Sequence, residues 1–312
     1  MLVKLSEKSG RVAIVTGAGG GLGRAYALYL AARGWRVVVN NRARVHDAHG
    51  RSSAECVVQE ILSAGGIALA QNDDVCADGA GLRMVDAALQ AWGRLDALVN
   101  NAGIDQHTTF HKITLEDFKH IFNSNFLGSL QITHAAYAHM RKAKHGRILV
   151  TVSTAGLHGL HGLSAYSASK AALIGLMRSI AAEGAGCDVL CNAIAPYAAT
   201  RMTSAHMDPT ILEGLSPDVV APLVSALIAP ESVINGQVWV VGGGWIRRAA
   251  AVEVGGGEPL GSDSINSMAS LSRMVSMKIP SEIVKEFPNA LEAYHDFLNS
   301  RGICLPDRSS FE

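Results

Sequence analysis

Val12-Ala13-Ile14-Val15-Thr16-Gly17-Ala18-Gly19-Gly20-Gly21-Leu22-Gly23 decides the fold. A short apolar run ends in a glycine-rich turn, and an Ala/Leu-rich segment of helical character starts at once. Glycines at such a place permit a tight turn, close approach of backbone to a pyrophosphate, and close helix–strand packing, while the helix N-terminus faces the phosphates. A glycine loop alone is a weak signal, because any flexible turn carries glycine. Its position after the first strand of a β–α–β unit is what points to a dinucleotide.

The same alternation continues along the chain. Strands are expected at Val12–Thr16, Arg36–Asn40, Ile67–Asn72, Ala97–Asn100, Arg147–Val152, Val189–Ile194 and Gln237–Val241. Helices are expected near Leu22–Arg33, Ser53–Ala64, Gly79–Trp92, Leu115–Lys142, Ala165–Gly184 and Pro217–Ala229. Short β-branched runs alternating with helices predict a doubly wound, Rossmann-type α/β fold with a seven-stranded parallel sheet and right-handed crossovers. The alternation stops at Gly242-Gly243-Gly244. Residues 1–250 are therefore expected to form one domain. Residues 251–312 are expected to be a C-terminal extension with a last helix near Ser281–Ser300.

Composition narrows the function classes. Lys+Arg and Asp+Glu are equal at 27 each, which gives no electrostatic case for a nucleic acid or an anionic membrane surface. Hydrophobic residues make up 48% and charged residues 17%, which suits a sheet covered on both faces. The five cysteines (Cys56, Cys76, Cys187, Cys191, Cys304) form no CxxC pair, so reduced thiols are expected. No basic segment with an apolar core opens the chain, and no apolar run reaches ~18 residues, so neither signal peptide nor membrane span is expected. Ser310-Phe311-Glu312 does not read as a peroxisomal address, and a cytoplasmic location is the expectation.

At the cofactor end, Gly17, Gly21, Leu22 and Gly23 are expected to hold the pyrophosphate. An acidic residue ending the second strand would hold the ribose 2′-hydroxyl of NAD. This chain instead reads Val39-Asn40-Asn41-Arg42, with Arg44 and Arg51 in the same long loop. Arg42 could pair with a 2′-phosphate through its planar fork, or be a solvated loop charge. NADP(H) is favoured on this reading, and NAD(H) stays open. Asp74 and Val75 fit an adenine-contacting turn, and Asn101, Ala102 and Gly103 let a cofactor lie against the strand ends.

The catalytic candidates are Tyr166 and Lys170, in Tyr166-Ser167-Ala168-Ser169-Lys170, with Ser153 and Asn125 upstream. Tyr and Lys at i and i+4 share one helix face, where an ammonium can favour the phenolate. Ser153 at a strand end can hydrogen-bond a reacting oxygen. A proton donor/acceptor and an oxygen-orienting group are what hydride transfer needs beside a nicotinamide.

In order and spacing, Thr16–Gly23, Asn100–Gly103, Asn125, Ser153, Tyr166 and Lys170 resemble the motif set of the short-chain dehydrogenase/reductase family, over residues 10–246. The resemblance implies Tyr166 as catalytic acid/base and Ser153 as binder of the substrate oxygen. It implies that Lys170 holds the nicotinamide ribose and lowers the Tyr166 pKa, with Asn125 anchoring a water of a proton relay. Pro196, Ala199 and Thr200 are implied as further cofactor contacts. Gly23–Leu28, the loop Arg42–Ser52, Arg201-Met202-Thr203 and Val241–Ile246 more narrowly resemble the (3R)-hydroxyacyl-CoA dehydrogenase unit of peroxisomal multifunctional enzyme type 2. Two departures stand out. Asn41 replaces that unit's acidic residue, and Tyr197 follows Pro196 where the family has glycine. No hydratase or sterol-carrier segment follows within the 312 residues, so that relative's substrate is not carried over.

The expected activity is hydride transfer between NAD(P) and a secondary alcohol/ketone on a fairly large apolar small-molecule substrate: a 3-hydroxyacyl thioester, a steroid or a polyketide-like ketone. The alternatives are a Rossmann epimerase or dehydratase with bound nicotinamide, and a non-catalytic cofactor sensor. His107 and His111 have helical spacing without a metal-ligand framework, so no metal is expected. His158 and His161 could line a pocket or sit in a plain loop, and Trp245 and Ile246 could cap the site or meet a subunit. The helix Ala165–Gly184, apolar nearly all round, suits a subunit interface in a homodimer or homotetramer.

Overall fold

The structure is a computed structural model that describes residues 10–43, 46–200, 202–203, 214–254, 284–288, 292–293 and 296. The chain divides into two compact units, Met1–Ala249 and Ala250–Glu312.

The first unit alternates strand and helix: β1 (Val12–Val15), α1 (Gly21–Ala31), β2 (Arg36–Asn40), α2 (Ser53–Ser63), β3 (Ile67–Gln71), α3 (Ala80–Trp92) and β4 (Ala97–Asn100). It continues with α4 (Leu115–Phe122), a π-helical segment (Asn123–Leu127), α5 (Gly128–Ala143), β5 (Gly146–Thr151), α6 (Thr154–His158), α7 (Ser164–Gly184) and β6 (Val189–Pro196). A 3₁₀ turn (Pro217–Val219), α8 (Ala221–Leu227), β7 (Val238–Gly242) and β8 (Trp245–Ala249) complete it. The sheet order is β3-β2-β1-β4-β5-β6-β7-β8.

Strand pairing is parallel from β3 to β7, as expected for β–α–β repeats. The expected seven strands become eight, because β8 adds antiparallel to β7. Gly243 (φ +55°) and Gly244 (φ +78°) form a two-residue turn, and two consecutive positive φ values are what a tight hairpin requires. The triple glycine read as the end of the sheet is thus its last hairpin.

Both sheet faces are packed. Val12 and Ile14 of β1 join a cluster with Met84 of α3, Ile132 and Met140 of α5, and Leu173 and Met177 of α7. Ala13 and Val15 face the other way, among Tyr26 and Leu30 of α1, Val57 and Ile61 of α2, and Val224 and Leu227 of α8. The two-residue period of a strand sends alternate side chains into opposite layers, so a strand buried on both faces reads as a continuous apolar run.

The long helix expected over Leu115–Lys142 is broken by its π segment. The last helix expected over Ser281–Ser300 is corrected at its start: β10 (Val284–Glu286) pairs antiparallel with β9 (Val252–Val254) in the second unit. Valine at Val252, Val254 and Val284 suits an extended pair better than a helical turn.

Candidate active site

The turn after β1 and the end of β4 meet where the strand order reverses, the place open parallel sheets use for ligands. Thr16 Oγ1 accepts the backbone N–H groups of Asn101 and Ala102, each at 3.0 Å. Asn101 Nδ2 donates back to the carbonyls of Thr16 (3.0 Å) and Gly17 (3.3 Å). Gly17 has φ +63°, and a Cβ there would lie 2.8 Å from Ala102 Cα. A Cβ on Gly23 would lie 2.4 Å from the Gly17 carbonyl oxygen. Helix α1 starts behind Gly20, which supplies no side-chain cap, so its first N–H groups are left for an anion. Thr200 stands against Gly21: a Cβ on that glycine would come 3.5 Å from Thr200 Cγ2. Gly23→Ala should therefore push the turn open and weaken nucleotide binding by roughly tenfold or more. Calorimetric titration of the variant checks this, and unchanged affinity would show that the turn tolerates the methyl group.

Asn41, Arg42, Asp74 and Val75 follow the ends of β2 and β3. Asn41 Nδ2 donates to Ser53 Oγ at 2.7 Å. Arg42 Nη1 lies 3.5 Å from Asp74 Oδ2, both side chains about one-third exposed. Burial alone would raise the Asp74 carboxyl, but the Cys76 N–H and the Arg42 guanidinium outweigh it and hold that carboxyl below its ordinary value. Val75 packs against Gly128, where a Cβ would come 2.8 Å from Val75 Cγ2.

The second cluster sits at the ends of β4 and β5. Asn125, fully buried in the π segment, accepts the Ile104 N–H at 2.8 Å. Its Nδ2 donates to the Ile104 carbonyl (2.9 Å) and to Ser169 Oγ (3.0 Å). Ser169 Oγ in turn donates to the Tyr166 carbonyl at 2.7 Å. A π segment widens one helical turn, and such bulges concentrate at functional sites. Ser153 follows β5 and caps α6, its hydroxyl accepting the Ala155 N–H at 3.1 Å. Tyr166 and Lys170 lie on the first turns of α7, and the Ser153 hydroxyl favours the Tyr166 phenolate against its burial. Lys170 Nζ donates to the Thr151 carbonyl at 2.7 Å and stands 5.5 Å from the Tyr166 ring centroid. A Cβ on Gly103 would reach within 3.5 Å of Lys170 Nζ, so bare backbone keeps that approach open.

A glycine cradle and a Ser–Tyr–Lys cluster on one sheet edge are matched by the sequence comparison: residues 11–209 fit the family model for short chain dehydrogenase. The chain is a short-chain dehydrogenase. A short-chain type dehydrogenase/reductase of Mycobacterium tuberculosis is 43% identical over 242 residues, 77% of this chain and 85% of that one. Peroxisomal multifunctional enzyme type 2 of Mus musculus is 42% identical over 241 residues, which are 77% of this chain and 32% of the mouse protein. The chain thus spans about a third of that larger enzyme. Among solved structures, a short chain dehydrogenase from Mycobacterium avium superposes with TM-score 0.73 at 36% identity, covering 85% of this chain and 93% of the other. Full-length peroxisomal multifunctional enzyme type 2 from Drosophila melanogaster gives TM-score 0.76 at 33% identity, covering 93% of this chain and 49% of that one.

In this dehydrogenase the protein groups around Tyr166 push its phenol up to about 12. Burial is the main cause, the Ser153 hydrogen bond opposes it, and the Asp105 carboxylate adds to it. Burial brings Lys170 down to about 8. The lowering of the phenol expected from Lys170 is therefore not what the side chains alone produce. Asn125 has its amide committed to Ile104 and Ser169, while its carbonyl accepts the Ser129 hydroxyl at 2.9 Å.

Other expectations fall differently. Tyr197 Cβ lies against Gly242, and Tyr197 lines a groove of about 330 Å³ with Trp245 and Ile246. Trp245 is 83% exposed, so it is not packed as a cap within this unit. His158 and His161 are exposed, and the segment ending at His158 is a short helix rather than a loop. Among the described residues no group of three or more His, Cys, Asp or Glu could hold a metal, and no helix is long and apolar enough to cross a membrane. Pro196 ends β6, and Ala199 N–H donates to the Leu215 carbonyl at 2.6 Å. Arg44, Arg201 and Cys304 lie outside the described residues. Sequence reasoning missed the Thr151 carbonyl as the Lys170 partner, and it missed Asp105. The signal for Asp105 was present: a carboxylate directly follows Asn100–Ile104 at the strand end.

Proposed function

We propose that the chain catalyses NAD(P)-dependent interconversion of a secondary alcohol and a ketone on a fairly large apolar substrate, such as a 3-hydroxyacyl thioester, a steroid or a polyketide-like ketone. The observation that carries the reading is the Ser153–Tyr166–Lys170 cluster on the same sheet edge as the uncapped α1 N-terminus. A relative of Synechocystis, 36% identical over 251 residues and named as a 3-oxoacyl-[acyl-carrier-protein] reductase, supports the acyl class among these substrates.

The cradle fits a nicotinamide dinucleotide, because Gly17 and Gly23 have no room for a side chain and α1 leaves N–H groups for a pyrophosphate. When bound, the nicotinamide supplies or accepts the hydride. In reduction, Ser153 and Tyr166 hydrogen-bond the ketone oxygen, and the Tyr166 hydroxyl gives it a proton. In oxidation the phenolate takes that proton back. Lys170 holds the nicotinamide ribose and stabilises the phenolate, while Asn125 fixes the Ile104 backbone beside them. Absorbance of the reduced nicotinamide against a panel of hydroxyacyl thioesters, steroids and cyclic ketones tests the reading. Absence of turnover across all three classes would remove it.

The favoured cofactor is NADP(H). Asn41 brings no charge against a 2′-phosphate, and Arg42, which follows the end of β2 and lies 3.5 Å from Asp74, is the guanidinium that would pair with one. A charge-assisted pair with phosphate is worth ~1.5–3 kcal/mol, which corresponds to roughly ten- to a hundredfold in affinity. The Asn41→Asp, Arg42→Leu double variant should reverse the preference toward NAD(H) when kcat/KM is compared for both cofactors. Preference for NAD(H) in the unmutated chain would show that Arg42 stays with Asp74.

Residues 1–250 carry the reaction on this reading. The free thiols at Cys56, Cys76, Cys187 and Cys191 suit a reducing cytoplasm. The exposed small residues Ala171, Gly175, Ser179 and Ala182 on α7 suit a homodimer or homotetramer contact.

A further inference from the structure

Helix α5 carries two hydroxyls into the core. Ser129 and Thr133 are buried on a helix whose other buried residues are Gly128, Ile132, Ala135, Ala136 and Met140. Both hydroxyls are bonded. Ser129 Oγ donates back one turn to the Asn125 carbonyl at 2.9 Å, and Thr133 Oγ1 donates back one turn to the Ser129 carbonyl at 2.7 Å. Asn100 Nδ2, at the end of β4, donates to Thr133 Oγ1 at 2.7 Å. Asn125, Ser129 and Thr133 thus form a polar stripe at four-residue spacing within an apolar layer, where a polar group costs stability unless it is hydrogen-bonded. At the other end of the stripe, Asn125 Nδ2 donates to Ser169 Oγ (3.0 Å), and Ser169 Oγ donates to the Tyr166 carbonyl (2.7 Å). A continuous line of direct hydrogen bonds therefore joins β4 to the catalytic helix α7.

We infer that Ser129 and Thr133 are positioning residues for the proposed hydride transfer: their hydroxyls peg the π segment to β4 and so hold Asn125, and through Ser169 the Tyr166 turn, in register. The inference rests on the reading of Tyr166 as acid/base. In the π segment the Gly128 N–H bonds to the Asn123 carbonyl, five residues back instead of four. Such a bulge is not the backbone's own preference, so something outside the helical ladder has to fix where it sits. A slip to four-residue bonding would turn Asn125 by about 100° about the helix axis and take its amide away from Ile104 and Ser169. Ser129 grips the Asn125 carbonyl one turn on, and Thr133 ties Ser129 to a strand that cannot turn with the helix. Asn100 Oδ1 is buried without a partner, so among the described residues Thr133 is the one side chain that ties this amide to α5.

Ser129→Ala and Thr133→Val each remove one hydroxyl with little change of volume. Either should lower kcat by about tenfold, while the cofactor Kd from calorimetric titration stays within about twofold. Thr133→Ser restores the hydroxyl and should bring kcat back to within about threefold of the unmutated protein. The Tyr166→Phe background separates positioning from general damage. There Ser129→Ala should lower the residual rate by less than about twofold, because the group it positions no longer moves a proton. Ser129→Ala carries these outcomes alone if Thr133→Val does not fold. The inference is overturned by full kcat in Ser129→Ala, by a Kd that weakens as much as kcat falls, by a Thr133→Ser variant as slow as Thr133→Val, or by an equal loss in the Tyr166→Phe background. Retained turnover in Tyr166→Phe itself overturns the acid/base reading instead, so the two failures are distinguishable.

Discussion

Tyr166→Phe is expected to lower kcat by ~10²-fold or more while the nucleotide still binds, because the ring stays and only the transferable proton goes. Burial pushes the phenol up to about 12. A group that holds its proton so firmly is well suited to donating it to a ketone oxygen that becomes an alkoxide. For alcohol oxidation the same burial is a handicap, so the oxidation rate should keep rising with pH through the alkaline range. Near-normal turnover in the phenylalanine variant would show that another group moves the proton.

Lys170→Met should have opposite effects on activity and stability. Activity should fall by ~10²-fold or more, since one side chain is proposed to serve both ribose and phenol. Thermal stability without cofactor should rise. Burial brings the Lys170 value from 10.5 to about 8, so at neutral pH the folded chain must keep an ammonium charged where charge is disfavoured. That costs on the order of 3 kcal/mol at pH 7, against roughly 1.5–3 kcal/mol for the charge-assisted hydrogen bond to Thr151 that methionine loses, so the net gain is at most about 1–2 kcal/mol. Between pH 8 and 10.5 the unfolded chain binds the proton and the folded chain does not, so the stability of the unmutated protein rises with pH across that window. The advantage of the methionine variant should be full below pH 8 and fade toward pH 10.5. Melting curves across that range check it, and a constant difference would contradict the burial cost.

The features legible in the sequence were those written in local pattern. The β1 run and its glycines marked the cradle because each strand is buried on both faces and each glycine meets backbone within a few residues or at one partner strand. Tyr166 and Lys170 were legible because four residues make one helical turn. Trp245–Ala249 was missed as a strand because its residues are exposed and do not alternate, so only the paired glycines at 243 and 244 signalled the hairpin. The π segment was hidden because one extra residue in a helical turn leaves no pattern in Asn123–Leu127, whose buried residues are the polar Ser124 and Asn125. Arg42 with Asp74, and Lys170 with the Thr151 carbonyl, depend on contacts between distant segments of the chain. No period in the sequence encodes them.

The central claim is that this chain moves a hydride between nicotinamide and a carbonyl carbon, rather than using a bound nicotinamide without net turnover. Incubation with a ketone substrate and reduced cofactor dideuterated at C4 tests it most directly. The account predicts one deuterium on the carbinol carbon for each cofactor oxidised, with the transfer suppressed in Tyr166→Phe. Product formed without deuterium, and with the cofactor still reduced, would contradict it.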